Sequence, residues 1–336
     1  MNELEFPNFD EIKVSTKTFI VVTNLQFNLE NLRPPIVNLT KYVDLPRRRG
    51  RKKKIEIEDP NKDLIDGSII TIEYKDDLWG VDLKKKVKRC QLCDNKAIMG
   101  WPSINDDNTI PTHCNDHTIA GMVKITNTKK YFRNSATIVM ILDGKKINFK
   151  ISKNGKFQIT GCKFDSHAEK IIHYTWKLIK ENKNIYTMTG DHLEALYIPA
   201  MRNIDFPLGF QVNREKLDMY INMNTDYISI FEASFGYTGV NVKIPHERSL
   251  SDLVLKKVIY KDKPEVSQFL YKEYLDTLSE KEQKKKMNKS RSTTFLIFHS
   301  GKIIVSSLNV DECRIGYYKF LDIIRECEHI IREKLN

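Results

Sequence analysis

The chain has 336 residues, of which 40% are apolar and 29% are charged, and its formal net charge is +11. A chain of this size can bury one large or two modest cores, and no apolar run approaches the length that spans a bilayer. The N-terminal sequence MNELEFPNFDE lacks the basic and apolar regions of a secretory signal, so we expect a protein that is neither secreted nor membrane-bound. The six cysteines are then expected to be thiols or metal ligands. The positive charge favours polyanionic partners without choosing among DNA, RNA and acidic membranes.

The first part of the chain combines one strand with a basic loop. Residues Ile12–Val22 alternate in part and predict a strand, whereas Pro34 and Pro35 limit any helix in Leu25–Val37 to a short one. The run Pro46–Lys54, PRRRGRKKK, has no apolar partner and predicts a disordered loop. Such a loop is a solvated charge cluster, a DNA-phosphate arm or a nuclear address, and the sequence leaves these interpretations open.

A pattern of metal-ligand type follows. Cys90 and Cys93 are separated by two residues, and after twenty residues Cys114 and His117 repeat that spacing. Two such pairs suit tetrahedral zinc, and four protein ligands leave no open position for catalysis. We therefore expect a structural Zn²⁺ that stabilises a long insertion. His113 is a competing ligand, and the alternative is a loop with free thiols.

Two similar hairpins lie 146 residues apart. Asn148–Cys162 and Thr294–Leu308 both consist of two short strands rich in β-branched and aromatic residues around a glycine-containing turn. At this offset Phe149 aligns with Phe295 and Gly155 aligns with Gly301. The two segments therefore predict one supersecondary unit used twice.

A predicted helix follows each hairpin. Phe164–Glu181 and Leu308–Lys334 both carry apolar residues at helical spacing. Each helix begins with a capping signature, Ser166-x-x-Glu169 in the first and Asn309-x-x-Glu312 in the second. The elements expected between the two helices are a connector at Tyr186–Leu196, a strand in Arg202–Phe210, a short helix at Arg214–Ile221, a pair of strands in Ile228–Ile244 and, within an insertion, a projecting helix at Glu265–Met287 with a basic end.

The alternation in the hairpins assigns their residues to two faces. In the second hairpin the predicted core face holds Phe295, Ile297, Ile303 and Val305, and the other face holds Leu296, Phe298, Ile304 and Ser306. In the first hairpin Phe149, Ile151, Phe157 and Ile159 oppose Lys150, Ser152, Gln158 and Thr160. The second hairpin thus has a second apolar face with no helix of its own, which is typical of a binding surface.

The duplicated order and the sequence LIFHSGKIIVSS before the last helix resemble the TATA-box-binding protein family, in particular its divergent forms in large DNA viruses. Ser234–Pro245, SFGYTGVNVKIP, is a second matching stretch. Phe132–Leu142 aligns with it in the first repeat, with Phe132 over Phe235 and Val139 over Val242. The resemblance implies an α+β fold, a pseudo-twofold saddle of two repeats whose curved antiparallel sheet carries helices on its convex face, plus the zinc-binding insertion.

This resemblance also implies a division of the chain. The expected parts are residues 8–45 and 128–183 for the first repeat, 46–127 for the basic loop and zinc insertion, 196–245 and 291–336 for the second repeat, and 246–290 for a helical basic insertion.

The resemblance further implies a DNA site on the concave face, with phenylalanines inserted between base steps in the minor groove. The wedge pair of the second repeat falls on Phe235 and Phe298, whereas in the first repeat one member falls on Phe132 and the other on Ser152. The expected DNA-binding residues are Phe132, Phe235, Phe298, Leu296, Ile304, Ser306, Thr160 and Asn241. We expect the first repeat to be weakened or altered as a groove binder because Lys150 and Gln158 replace apolar residues.

The function implied is that of a virus-encoded transcription initiation factor. It would bind TA-rich promoter DNA and recruit a TFIIB-like factor and a viral RNA polymerase, in the host cytoplasm, the virion or the host nucleus. His167 and Glu169 match part of a zinc-deaminase motif whose downstream cysteines are missing, so we expect no enzyme. The alternative is a protein-interaction module of a viral transcription or virion complex that has lost TATA-specific DNA binding.

Overall fold

The computed structural model describes residues 5–32, 41, 43, 61–74, 85–87, 123–125, 134–231, 239–288 and 290–333. The chain divides into two compact units, residues 1–72 with 137–336, and residues 73–136. In the smaller unit, strands β4 (Lys85–Val87) and β5 (Val123–Ile125) form an antiparallel ladder. Within the described residues, no helix is long and apolar enough to cross a membrane.

The larger unit is built on one antiparallel sheet. Its first half contains β1 (Val14–Thr23), β2 (Leu25–Phe27), β3 (Ile69–Glu73), β6 (Ser135–Leu142), β7 (Lys145–Ser152), β8 (Lys156–Cys162) and α1 (Ser166–Ile179). After β9 (Tyr186–Met188), the second half contains β10 (Leu193–Pro207), α2 (Arg214–Asn224), β11 (Ile228–Ile230), β12 (Gly239–Pro245), β15 (Ser292–Phe298), β16 (Lys302–Ser307) and α5 (Val310–Ile331). Between β12 and β15 the chain forms β13 (Val254–Tyr260), β14 (Glu265–Leu270), α3 (Tyr271–Asp276) and α4 (Glu280–Met287).

The strand order is symmetric about the centre of the sheet. The sequence of neighbours is β11-β12-β15-β16-β10-β1-β8-β7-β6-β3, so each half repeats the same order outward from the β1–β10 pair. β1 and β10 are antiparallel from Val14 opposite Ile204 to Thr23 opposite Ala195, with irregularities between Val14 and Thr16 and between Thr18 and Phe19. The prediction of a duplicated antiparallel sheet is confirmed by this order.

The core of the second half lies between the sheet and helices α2 and α5. Phe295 on β15 stacks on Phe320 of α5 at 4.3 Å between ring centroids, and neither side chain is exposed. Leu217 and Ile221 of α2 are buried in the same cluster. This burial confirms the predicted core face of the second hairpin, where Ile297 is also fully buried.

Helix α5 also holds the N-terminal segment of the chain. The Arg314 guanidinium donates to both carboxylate oxygens of Asp10 at 2.7 Å, a bidentate geometry. The Tyr317 hydroxyl donates to the carbonyl oxygen of Pro7 at 2.6 Å, and its ring packs on Phe9. Residues from opposite ends of the sequence are therefore joined on the helical side of the sheet.

The first half has the same face assignment with different capping. Phe149 and Phe157 are buried on the side of the sheet that carries α1, and Lys17 on that side pairs with Asp165 at 2.7 Å.

The predicted cap of the second helix is present, since the Asn309 side chain accepts from the Glu312 N–H. The predicted Ser166 cap is wrong: the helix begins at Ser166 itself, and Asp165 precedes it without a side-chain cap bond.

Both hairpin turns require glycine. Gly155 and Gly301 have φ of +70° and +77°, a backbone region that residues with a Cβ adopt at a cost. A Cβ at Gly155 would lie 2.0 Å from the Leu25 carbonyl oxygen, and one at Gly301 would lie 2.0 Å from the Phe210 carbonyl oxygen. Each turn is thus pressed against a neighbouring backbone at equivalent places in the two halves.

The insertion after β12 differs from the predicted projecting helix. Glu265–Leu270 is a strand, β14, paired with β13, and helix follows only as the short segments α3 and α4. β13 pairs in turn with β10, from Leu193 opposite Tyr260 to Tyr197 opposite Lys256. The insertion is therefore an extension of the sheet, because pairing with a distant strand outweighs the local helical spacing.

His167 on α1 predicts a measurable pH dependence. Its imidazole is 1% exposed, its Nε2 lies 2.8 Å from a carboxylate oxygen of Asp143, and burial lowers its pKa below the ordinary value of 6.5. Below pH 6.5 the unfolded chain therefore takes up a proton that the folded chain does not, and the free energy of unfolding falls as the pH falls, by at most about 1.4 kcal/mol per pH unit. We expect His167→Gln to show a shallower fall between pH 7.5 and 5.5 in urea titrations, and exposed His173→Gln to match the parent. A parent-like slope in His167→Gln would contradict this assignment.

Candidate nucleic-acid interface

The second half has a helix-free face whose residues are fixed by strand register. Leu296 lies opposite Ile304 on one side and opposite Asn241 on the other, and Asn241 lies opposite Ile230. Directly opposed residues of antiparallel strands share a face, so these four side chains form one row across the sheet. Phe298 follows two residues after Leu296 and points to the same face.

The neighbouring row is mainly polar. Asn203 on β10 lies opposite Ser306, Ser306 opposite Thr294, Thr294 opposite Lys243, and Lys243 opposite Ile228. We call these two rows, together with Phe298, the second-half open face. Its members are Ile228, Ile230, Leu296, Phe298, Ile304, Asn203, Asn241, Lys243, Thr294 and Ser306, together with the exposed Asp205, which lies opposite Ile304 on β10.

The apolar residues of this face are not part of the core. Leu296, Phe298 and Ile304 are partly exposed, although the residues that alternate with them along the strands are completely buried. On the edge strand, Ile228 and Ile230 are 59% and 48% exposed. An apolar row of this kind, bordered by polar residues, is the usual mark of a surface that contacts another molecule.

Polar and charged groups of both signs surround the apolar row, and Lys302 lies 3.8 Å from a carboxylate oxygen of Asp205. Lys302 and His299 lie at the β15–β16 turn, where they line a shallow recess together with Phe298 and Ile304. Asn203 and Asn241 each have a buried side-chain oxygen with no hydrogen-bond partner in the described part of the chain. A buried acceptor without a donor is costly, so each oxygen would gain from a donor that a bound molecule supplies.

The corresponding face of the first half is polar. Gln158 is exposed and Lys150 and Ser152 are partly exposed, at the positions equivalent to Ile304, Leu296 and Phe298. The Thr160 hydroxyl donates to the Asn148 carbonyl oxygen at 3.1 Å, which commits it to the sheet itself. The two halves therefore share a fold but offer different surface chemistry.

The structure brings together most of the predicted DNA-binding residues that it describes. Leu296, Phe298, Ile304, Ser306 and Asn241 lie on one face, whereas Thr160 lies on the helix-free side of the other half. Phe132, Phe235 and the predicted zinc ligands Cys90, Cys93, Cys114 and His117 lie outside the described residues.

The predicted alignment of Val139 with Val242 is wrong by one residue. Val242 is fully buried on the helical side of β12, whereas Val139 is partly exposed and lies between the buried residues Ile138 and Met140. A shift of one residue moves every side chain of a strand to the opposite face. The residue of β6 that is equivalent to Val242 is therefore a neighbour of Val139 and not Val139 itself.

Among the residues of the second-half open face that sequence reasoning missed are Ile228, Ile230 and Lys243. Ile228 and Ile230 belong to a strand of three residues, which is too short to show alternation by itself. Lys243 joins them only through the pairing of β12 with its two neighbours. These residues could be identified only from the strand pairing of the sheet.

Comparison with known proteins gives two viral relatives. No protein-family model matches the chain. Over 209 residues it is 25% identical to "Uncharacterized protein 335L" of Invertebrate iridescent virus 6, covering 58% of this chain and 61% of that protein. Over 160 residues it is 31% identical to the "TATA-box-binding protein-like" protein of Acanthamoeba polyphaga mimivirus, covering 38% of this chain and 43% of that protein. The chain is similar to a viral TATA-box-binding-like protein.

The matched regions span less than two thirds of either viral relative. Among solved structures, Methanococcus jannaschii TBP aligns with 95% of this chain and 99% of its own, at a TM-score of 0.42 and 14% sequence identity.

Proposed function

We propose that this protein is a virus-encoded, TATA-box-binding-protein-like initiation factor that binds TA-rich duplex DNA through the second-half open face. The observation that carries the proposal is the partly exposed apolar row of Leu296, Phe298 and Ile304 on the helix-free side of a sheet whose other side is a packed core. The similarity to a viral protein of that description and the net charge of +11 support it.

The chemistry of this face suits the minor groove. Apolar side chains wedge between base pairs and unstack them, and flexible TA steps cost least to deform. The side-chain NH₂ groups of Asn203 and Asn241 would donate to the acceptor atoms that adenine and thymine present in that groove. Lys243 and Lys302 lie where they would meet phosphates.

The wider role follows from the same proposal. The protein would recruit a TFIIB-like factor and a viral RNA polymerase, and it would catalyse no reaction. A Zn²⁺ held by Cys90, Cys93, Cys114 and His117 would be structural, because Cys₃His sites with four protein ligands leave no open coordination position. It would act in the host cytoplasm, the virion or the host nucleus.

The direct test is binding to matched duplexes across a salt series. We expect a mobility shift on a TA-rich duplex that weakens as salt rises from about 50 to 200 mM, and a much weaker shift on a GC-rich duplex of equal length. Equal affinity for the two duplexes would show that the protein binds DNA without a preference for TA-rich sequence and would contradict the proposed specificity. Absence of binding to either at low salt would exclude the proposed function.

Phe298→Ala tests the wedge. We expect it to lower affinity for the TA-rich duplex about 10-fold or more and to reduce the bend, measured by energy transfer between dyes at the duplex ends, because the kinked step loses its apolar support. Phe164→Ala is the matched control, since Phe164 is 56% exposed and packs beside His167 of α1. The double variant Phe298→Ala with Phe235→Ala should remove the bend. A double variant that binds and bends TA-rich DNA like the parent would show that these residues are not wedges.

A protein-interaction module is the second candidate. It is favoured by exposed apolar residues on the helical side of the sheet, where Met219 and Met223 of α2 are 60% and 77% exposed. In that case a partner protein would cover the apolar row and the chain would show no preference for TA-rich DNA.

A further inference from the structure

The insertion after β12 carries a second small core. Leu255, Tyr271, Tyr274 and Leu275 of the insertion are at most 5% exposed, and they cluster with Leu196 and Ile198 of β10. Ile20 and Val22 of β1 pack against the same cluster. The insertion therefore buries apolar side chains from both central strands of the sheet.

The register places this cluster on the helix-free face of the first half. Ile20 lies opposite Gln158 and Ile198, and Val22 lies opposite Lys156 and Leu196. The intervening Val21 is completely buried and lies opposite Phe157 on the helical side. The apolar residues on the helix-free side of the β1–β10 pair, beside β8 of the first half, would otherwise continue the second-half open face and are thus covered by the chain itself.

The covering segment is fixed and not loosely docked. β13 pairs with β10 along five residues, and the Tyr197 and Tyr260 hydroxyls are 2.6 Å apart across that ladder. Lys257 pairs with Glu194 at 2.8 Å on the same ladder. A segment held by strand pairing and by a buried cluster opens at a cost comparable to that of local unfolding.

Helix α4 extends the cover toward β8. A hydrogen bond from Ser279, and beyond it the charge of Lys156 on the helix-free side of β8, lower the pKa of Glu282. The side chain of Lys286 lies over the Tyr274 ring at 5.3 Å, which links α4 to the covering cluster. The end of α4 is basic, with exposed Lys284 and Lys285.

We propose that the insertion permanently covers the central strands on the first-half side of the helix-free face, so that a bound duplex is held by the second-half open face alone and kinks at a single base step. This inference rests on the proposed function, and it specifies which half of the molecule performs it. A duplex gripped by both halves would need the surface that Tyr271, Tyr274 and Leu275 now fill.

Equivalent substitutions in the two halves test the inference. Ile304 and Gln158 occupy the same position in the duplicated hairpins, on β16 and β8, and the three strand spacings from β16 to β8 alone separate them by at least about 14 Å at roughly 4.8 Å per strand. That separation exceeds the screening length of about 8 Å at physiological salt. At this salt we expect Ile304→Glu to weaken binding to a TA-rich duplex at least about 10-fold and Gln158→Glu to change it less than about 2-fold.

The outcomes separate this inference from the proposed function. If both variants weaken binding to a similar degree, the duplex contacts both halves, and the inference fails while the proposed function stands. If neither variant alters TA-specific binding, the helix-free face is not the DNA site and both fail.

A second readout counts the kinks. In duplexes carrying 2-aminopurine at successive positions, we expect the parent protein to raise fluorescence over one stretch of adjacent steps, because unstacking removes quenching there. Two separated stretches would overturn the inference. If fluorescence rises at no position of a bound duplex, the protein does not unstack the bases, and the wedge assignment fails together with this inference.

Discussion

Gly301→Ala is expected to destabilise the protein by more than about 4 kcal/mol, or to prevent it from folding. The glycine has a φ of +77°, and an added Cβ would lie 2.0 Å from the backbone carbonyl oxygen of Phe210. A backbone atom cannot move away as a flexible side chain does, so the β15–β16 turn would have to leave its place. Urea unfolding of the soluble fraction measures the effect.

Gly144→Ala provides the control for backbone conformation alone. Gly144 has a φ of +68° in the turn between β6 and β7, and no atom would lie within 4 Å of its added Cβ. We expect a cost of only about 1–2 kcal/mol. If Gly301→Ala cost no more than Gly144→Ala, the close approach of the turn to Phe210 would not matter for stability.

Leu296→Asp is expected to weaken binding to a TA-rich duplex at least about 30-fold, because it places an unpaired carboxylate within the apolar row against a polyanion. Leu296 is only partly exposed and has Ile304 and Asn241 as its neighbours across the sheet. Fluorescence anisotropy with a labelled duplex at physiological salt measures the change.

Leu178→Asp is the matched control for this change. Leu178 is 41% exposed on α1, on the opposite side of the sheet, and its replacement alters the net charge by the same amount. We expect an effect below about 3-fold. Equal losses in the two variants would mean that net charge and not the second-half open face determines binding.

The two faces of the hairpins could be predicted from the sequence because each strand has one buried side. Where one face packs against helices, alternation carries the information about burial, and Phe295, Ile297, Ile303 and Val305 are all fully buried as expected. The duplication could be predicted for a related reason. Both halves have a glycine at the equivalent turn and apolar residues at a constant offset, because the same turn geometry and the same burial recur in each half.

The insertion could not be predicted because its structure depends on distant partners. Phe269 and Leu270 satisfy helical spacing with Tyr274, but they belong to a strand whose partner β13 is itself paired with β10. The short strands Leu25–Phe27 and Tyr186–Met188 pair with each other across about half the chain, and neither has a pattern of its own. No local sequence pattern around Tyr271 and Leu275 indicates that they pack on the central strands β1 and β10.

The joining of the two ends of the sequence has a consequence for biosynthesis. Asp10 and Pro7 are held by Arg314 and Tyr317, so their partners leave the ribosome only after about three hundred further residues have been made. β1 likewise waits for β10 before both of its edges are paired. The nascent chain therefore completes its central sheet late, and its folding rate should be limited by closure of these long loops.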